Sequence, residues 1–220
     1  MILIQSLSKY FELPNKEKLL LFENMNLSFE TWDFIALMWP SGQWKTTFLN
    51  MIAGLESDHA GSIQINEVYL ESLSESQRTA FRGKHISYVF QDYNLIDTLT
   101  VEENIDLVLD INHTERRYTT DEILIKVGLL AKKKSFPSQL SGGEKQRVAL
   151  ARSFVSVTDI ILADEPTGSL DEKNESNIME LFQTLWKESG VTLLMITHSE
   201  KVASYAASRY HLQDFTFKKL

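Results

Sequence analysis

Four short segments place phosphate-binding and proton-handling groups at the ends of apolar runs. The first is Trp39-Pro40-Ser41-Gly42-Gln43-Trp44-Lys45-Thr46-Thr47, which follows the run Phe34-Ile35-Ala36-Leu37-Met38 and leads into a helical pattern through Leu55. A strand, a loop, Lys-Thr and a helix form the layout of a phosphate loop. In it, backbone N–H groups and a helix N-terminus hold the anion, Lys45 neutralises it, and the Thr46 hydroxyl is offered to Mg²⁺. Ser41, Gly42 and Thr47 belong to the same loop. The full pattern G-x-x-x-x-G-K-[ST] has glycine where Trp39 and Trp44 stand. Glycine serves there because backbone must approach phosphate and can need φ > 0, a conformation that costs another residue about 1–2 kcal/mol. Taken alone, the segment is equally the start of an ordinary helix.

The second segment, Ile160-Ile161-Leu162-Ala163-Asp164-Glu165-Pro166, sets two carboxylates at the end of an apolar strand, where sites of open α/β sheets lie. Asp164 there suits Mg²⁺, through water, and Glu165 suits a general base that polarises an attacking water; a plain turn is the alternative. The third, Leu140-Ser141-Gly142-Gly143-Glu144, opens a helix whose free N–H groups and hydroxyl suit an anion or serve as an ordinary cap. In the fourth, Thr197-His198 closes the last apolar run.

The elements that must position these groups alternate between two periodicities. Phe34–Met38, Ile86–Phe90, Asp159–Ala163 and Thr192–Ile196 are nearly all apolar, as central strands covered on both faces should be. Further strands are expected before residue 35 and around 62–66, forming an antiparallel flap. Val101–Leu109, Thr120–Leu130 and Glu144–Ser156 carry apolar residues at helical spacing and read as an all-helical insert. A further helix is expected over Glu172–Lys187, with Trp186 in its packed face. The lysines at 132–134 read as a solvated helix end.

With 22 Lys and Arg against 30 Asp and Glu, the 220-residue chain carries a formal charge of -8, which disfavours a general electrostatic grip on nucleic acid. The absence of cysteine removes disulfides, thiolate metal sites and thiol nucleophiles together. No apolar run approaches the roughly 18 residues that cross a bilayer, so a membrane role is expected to come through a partner.

In this order and spacing the segments resemble the nucleotide-binding domain of ATP-binding cassette transporters, across essentially the whole chain. Ser141-Gly142-Gly143-Glu144-Lys145-Gln146 looks like the family signature, Asp164-Glu165 like the Walker B end, Ser169-Leu170-Asp171 like the D-loop, and His198 like the switch histidine. Phe90-Gln91-Asp92 fits the Q-loop. Tyr10 is taken as the aromatic that stacks on adenine, with Phe11 competing. The stretches 90–95 and 163–171 are most similar to the subgroup paired with permeases of the lipoprotein-release, macrolide and antimicrobial-peptide efflux type.

The resemblance implies an α/β fold, a P-loop NTPase core sheet with an antiparallel β flap and an all-helical insert. It further implies one domain over 1–220, with 1–91 and 158–220 as core and 92–157 as the helical part. It implies ATP and Mg²⁺ as cofactors, with Thr46, Gln91 and Asp164 serving the metal. Lys45 would hold the β- and γ-phosphates, Glu165 the water, and His198 the γ-phosphate. Ser141, Gly142, Gly143 and Asp171 would complete a partner's site in a head-to-tail dimer. The implied setting is cytoplasmic, on the inner face of the cell membrane, with a permease subunit as partner and no nucleic acid.

Departures from the family share a theme: Trp32, Trp39, Trp44, Glu67, Ser87 and Phe215 stand at frequent glycine positions, and only 9 glycines remain. This keeps open a second reading, a cassette with a disabled phosphate loop whose signature serves a partner. A third, a soluble cassette acting on nucleic acid or ribosomes, is disfavoured by the charge. His59, His85, His113 and His211 lack metal-ligand spacing and read as structural or surface residues. Arg78 and Arg82 fit either the nucleotide's border or surface ion pairs.

Overall fold

The computed structural model describes residues 1–12, 17–39, 44–213 and 216–220. In chain order the first half runs β1 (Ile2–Glu12), β2 (Lys18–Phe29), β3 (Phe34–Met38), α1 (Lys45–Ile52), β4 (Ala60–Ile65), β5 (Val68–Tyr69), α2 (Glu75–His85) and β6 (Ile86–Val89). The second half runs α3 (Val101–Asn112), α4 (Thr120–Lys126), α5 (Gly142–Phe154), β7 (Ile160–Asp164), α6 (Glu172–Ser189), β8 (Thr192–Thr197), α7 (Glu200–Ala203), β9 (Ser208–Gln213) and β10 (Thr216–Lys219).

Two sheets share the chain. The larger is ordered β10-β9-β3-β8-β7-β6, and the smaller is the antiparallel sheet β2-β1-β4-β5. In the larger sheet β3 pairs in parallel with both β8 and β9, and β7 with both β6 and β8; only β10 runs antiparallel. Three of the four continuous apolar runs, β3, β8 and β7, form its centre because side chains of each face reach a different core, and the fourth, β6, is its end strand. Phe34, Ala36 and Met38 of β3 pack with α3, α5 and α6, whereas Ile35 and Leu37 pack with α1 and the antiparallel sheet. That two-sided burial is why the strands show no polar alternation.

Helix α2 and strands β9 and β10 are among the elements the sequence pattern does not announce. Helix α2 buries none of its residues fully, so it has no apolar stripe to read. Strands β9 and β10 carry mixed, half-exposed residues at the sheet's antiparallel end. Helix α4 is also shorter than its apolar pattern suggests, ending at Lys126 before Gly128, whose φ of 69° turns the chain left-handed.

Helices α3, α4 and α5 each begin with a reciprocal cap: Thr100 with Glu103, Thr119 with Glu122, and Ser141 with Glu144. Backbone N–H donation by the cap residue holds all three glutamates below the ordinary value of 4.5. A depressed carboxylate contributes stability that is complete above its unfolded value and is lost as pH falls through the folded one. The thermal midpoint is therefore expected to fall more steeply between pH 5 and 3 than in the variant carrying Glu103→Gln, Glu122→Gln and Glu144→Gln. Equal slopes would contradict it.

Candidate functional site

The carboxyl ends of β3, β6, β7 and β8 bring most of the chemistry-bearing residues together. Asp164 is the last residue of β7, and Glu165 follows it with a φ of 43°. The Glu165 N–H donates to Ile196 O at 3.0 Å, and the Trp39 N–H donates to Thr197 O at 3.1 Å. These two bonds tie the loops after β7 and β3 to the end of β8. Both carboxylates are buried.

Lys45, the first residue of α1, ion-pairs with Glu165 Oε1. His198 Nδ1 lies 2.8 Å from the other carboxylate oxygen, Oε2. The Thr46 hydroxyl donates to Asp164 Oδ2 at 2.6 Å. Burial pulls the Lys45 ammonium below its ordinary value, with Asp164 opposing the shift. Gln91 borders the same group: a Cβ built on Gly168 would meet Glu165 Oε2 at 3.2 Å and Gln91 Nε2 at 3.4 Å, so Gly168 is where the two side chains need space. A cavity of about 110 Å³, lined by Glu165, Gly168, Thr197 and His198 among others, opens beside the cluster.

This arrangement holds a buried carboxylate between a lysine ammonium and an imidazole and sets a hydroxyl and a second carboxylate at the N-terminus of a helix. The hard oxygen donors of Thr46 and Asp164, already within hydrogen-bond distance of each other, fit a small divalent cation. Among the described residues, no cluster of three or more His, Cys, Asp or Glu forms an all-protein metal cage.

The expected signature residues lie apart from this cluster. Ser141 caps α5, accepting from the Glu144 N–H at 3.3 Å. Gly142 packs under the Tyr93 ring, and Gly143 faces Asn174. Asp171 caps α6 by accepting from the Asn174 N–H at 2.9 Å. Among the described residues, no hydrogen bond or ion pair joins Ser141, Gly142, Gly143 or Asp171 to Lys45 or Glu165. Thr47 follows Thr46 within α1. Ser41 and Gly42 lie outside the described residues, as does Phe215.

The two candidate aromatics, Tyr10 and Phe11, lie on opposite faces of β1. Tyr10 stands on the outer face of β1 with the Lys18 ammonium 4.0 Å from its ring centre, whereas Phe11 meets Trp44 at the start of α1, ring centres 5.4 Å apart. Ile2 and Ile4 set an even-numbered buried face that would have carried Tyr10 inward. The pairing shifts between Ile4 and Leu7, where Ser6 has a φ of 50°, and the buried face then continues through Leu7 and Lys9 toward Phe11. A bulge of one residue thus exchanges the two aromatics.

The residues at glycine positions separate into two kinds. Trp32, Trp44 and Glu67 have φ of 66°, 52° and 67°, so the left-handed backbone is retained without glycine. Trp39 is buried among Phe22, Phe48 and Phe217. Ser87 is an ordinary residue of β6. The histidines His59 and His85 pair with Glu71 and Asp159, away from the cluster.

The sequence model of the ABC transporter family matches residues 22–168. The chain belongs to that family. As an ABC chain it is an ATP-binding subunit of the ATPase class. The bacitracin export ATP-binding protein BceA of Halalkalibacterium halodurans is 36% identical over 203 residues, 91% of this chain and 79% of the relative. The ABC transporter ATP-binding protein YtrE of Bacillus subtilis is 36% identical, covering 99% of this chain and 97% of the relative. The macrolide export ATP-binding/permease protein MacB of Mannheimia succiniciproducens is 35% identical over 97% of this chain, which spans 33% of that protein. The dimeric ATP-binding cassette MJ0796, solved in a post-hydrolysis state with ADP and Pi, superposes with a TM-score of 0.87 at 32% identity, covering 100% of this chain and 98% of the other. The ABC family thus accounts for both the order of motifs and the fold.

Proposed function

We propose that this ABC chain couples binding and hydrolysis of Mg-ATP to substrate export or release through a membrane permease, two copies acting head to tail on the inner face of the cell membrane. The observation that carries the reading is the convergence of Lys45, Thr46, Asp164, Glu165 and His198 from three strand ends. Phosphoryl transfer asks mainly for positioning and charge stabilisation, which is what this set supplies.

At rest the Glu165 carboxylate is shared by Lys45 and His198. A nucleotide's phosphates compete for the Lys45 ammonium, which frees one carboxylate oxygen to accept a proton from water. His198 keeps the other oxygen oriented and has an exposed ring that can turn toward the terminal phosphate. Thr46 and Asp164, with Gln91, are the residues that would hold Mg²⁺, which when bound neutralises charge on the phosphate oxygens. Phe11 is the aromatic in position for the base. Ser141, Gly142, Gly143 and Asp171 serve the second copy's nucleotide. The groove of about 250 Å³ bordered by Tyr88, Phe90, Val108, Ile111 and Arg152 is where a permease segment would take up the motion. The efflux and lipoprotein-release subgroup is the expected setting, in keeping with the export names of BceA and MacB. The formal charge of -8 supports a partner other than nucleic acid.

A second reading is favoured by Trp44, whose left-handed backbone sits where the phosphate loop meets α1. On that reading the chain's own site is disabled and its signature serves a partner. Titration calorimetry with Mg-ATP separates the two. Trp44→Gly removes a strain of about 1–2 kcal/mol and is expected to tighten binding about tenfold over the unsubstituted chain. Binding by both supports the motor reading. Binding by the variant alone supports the second, and no heat from either at millimolar ATP rejects ATP binding altogether.

A further inference from the structure

Tyr93 follows Gln91 by two residues, yet its side chain reaches elements far along the chain. Its hydroxyl lies 2.9 Å from Ser169 Oγ, across 76 residues of sequence. The same hydroxyl is the atom that a Cβ on Gly142 would meet at 3.0 Å, so the ring closes over the N-terminus of α5. Ser169 Oγ also lies 3.4 Å from Gln91 O. The backbone around the tyrosine is held in an uncommon shape: Tyr93 and Asn94 have φ of 61° and 47°, the left-handed region that non-glycine residues seldom enter. Arg152 of α5 holds that shape, donating from Nη2 to Tyr93 O at 2.8 Å and from Nη1 to Asn94 O at 2.6 Å. Strained backbone persists where its surroundings fix it, and here the fixing group comes from the same helix whose N-terminus the tyrosine covers.

The segment on the other side of the bond is the turn that carries Glu165. The Gly168 N–H donates to Glu165 O and the Leu170 N–H to Thr167 O, each at 3.0 Å. Leu170 in turn packs toward Gly142. Glu165, the 168–171 turn, the Gln91 segment and α5 are therefore joined through one side chain.

We propose that the Tyr93 hydroxyl is a pin: a positioning residue that locks the 168–171 turn, and with it Glu165, to the Gln91 segment and to the N-terminus of α5. Resting on the reading of Glu165 as the general base, it makes the helical part of the chain set the alignment of the hydrolytic carboxylate without touching nucleotide. Movement of the signature end of α5 would reach Glu165 through this bond.

The experiment compares the full chain with Tyr93→Phe, Ser169→Ala and the double variant, each retaining the ring or the backbone that packs there. Amide hydrogen exchange is read at Gly168 and Leu170, with Val127 beyond α4 as internal control. Loss of one neutral hydrogen bond is expected to speed exchange at the two turn amides about two- to tenfold, with thermal midpoints within about 4 °C. The double variant is expected to add nothing to either single one. In ATPase assays, kcat is expected to fall in the same proportion with KM for ATP within twofold. Unchanged exchange at Gly168 and Leu170, or additive effects in the double variant, would overturn the pin. If the unsubstituted chain hydrolyses no ATP, the motor reading fails and the exchange data alone decide the pin.

Discussion

Glu165→Gln is expected to lower ATP turnover by about two to four orders of magnitude, the usual range for losing a positioned general base. The side chain keeps its shape, so the loss is one of proton affinity and not of packing. Binding should behave differently. In the resting site Lys45 and His198 both lean on the Glu165 carboxylate, and a neutral amide releases the lysine that the phosphates need. The variant is therefore expected to bind Mg-ATP at least as tightly as the unsubstituted chain while failing to turn it over. Steady-state phosphate release and calorimetry together check this. Turnover within tenfold of the unsubstituted chain would remove Glu165 from the base role.

Trp39→Gly is expected to be the most damaging change to stability among the glycine-position residues, and opposite in character to Trp44→Gly. The Trp39 indole sits among three phenylalanines, with ring centres 5.4–5.6 Å away. Truncating a large buried aromatic costs about 3–5 kcal/mol. Among the described residues its Nε1 is buried without a hydrogen-bond partner, and removing that atom returns about 1–3 kcal/mol. The balance remains destabilising, by about 2 kcal/mol, which lowers the thermal midpoint by roughly 4–8 °C in a chain of this size. Trp44 has a strained backbone and, among the described residues, one ring contact, with Phe11, so Trp44→Gly should leave the midpoint unchanged or raised. Chemical denaturation of both variants tests the contrast. A stabilised Trp39→Gly would mean that the aromatic cluster contributes less than the unpartnered indole costs.

How far the sequence could be read depended on whether a residue's partner was set by local pattern or by distance along the chain. Phe34–Met38, Ile160–Asp164 and Thr192–Thr197 were legible because burial on both faces leaves an unbroken apolar run. Asp164, Glu165 and His198 were legible because they end those runs. Tyr10 and Phe11 were not separable, since the bulge near Ser6 that exchanges them leaves no mark in composition. Helix α2 has no buried stripe, and the link from Tyr93 to Ser169 joins two loops whose meeting depends on the assembled sheet. Trp39 and Trp44 look equivalent as text, yet one is a core side chain and the other a left-handed helix cap.

That difference has an optical consequence. Trp39 is buried in apolar surroundings and Trp186 packs on Phe34 with its indole N–H donated to Val191 O, so the emission of both is governed by the interior. Trp32 is 72% exposed at a turn, and its emission is governed by solvent. Trp44 is 37% exposed and in ring contact with Phe11, at the helix end where the nucleotide would enter. The chain thus carries an intrinsic fluorophore at the mouth of its own site, and ligand occupancy becomes readable without a label.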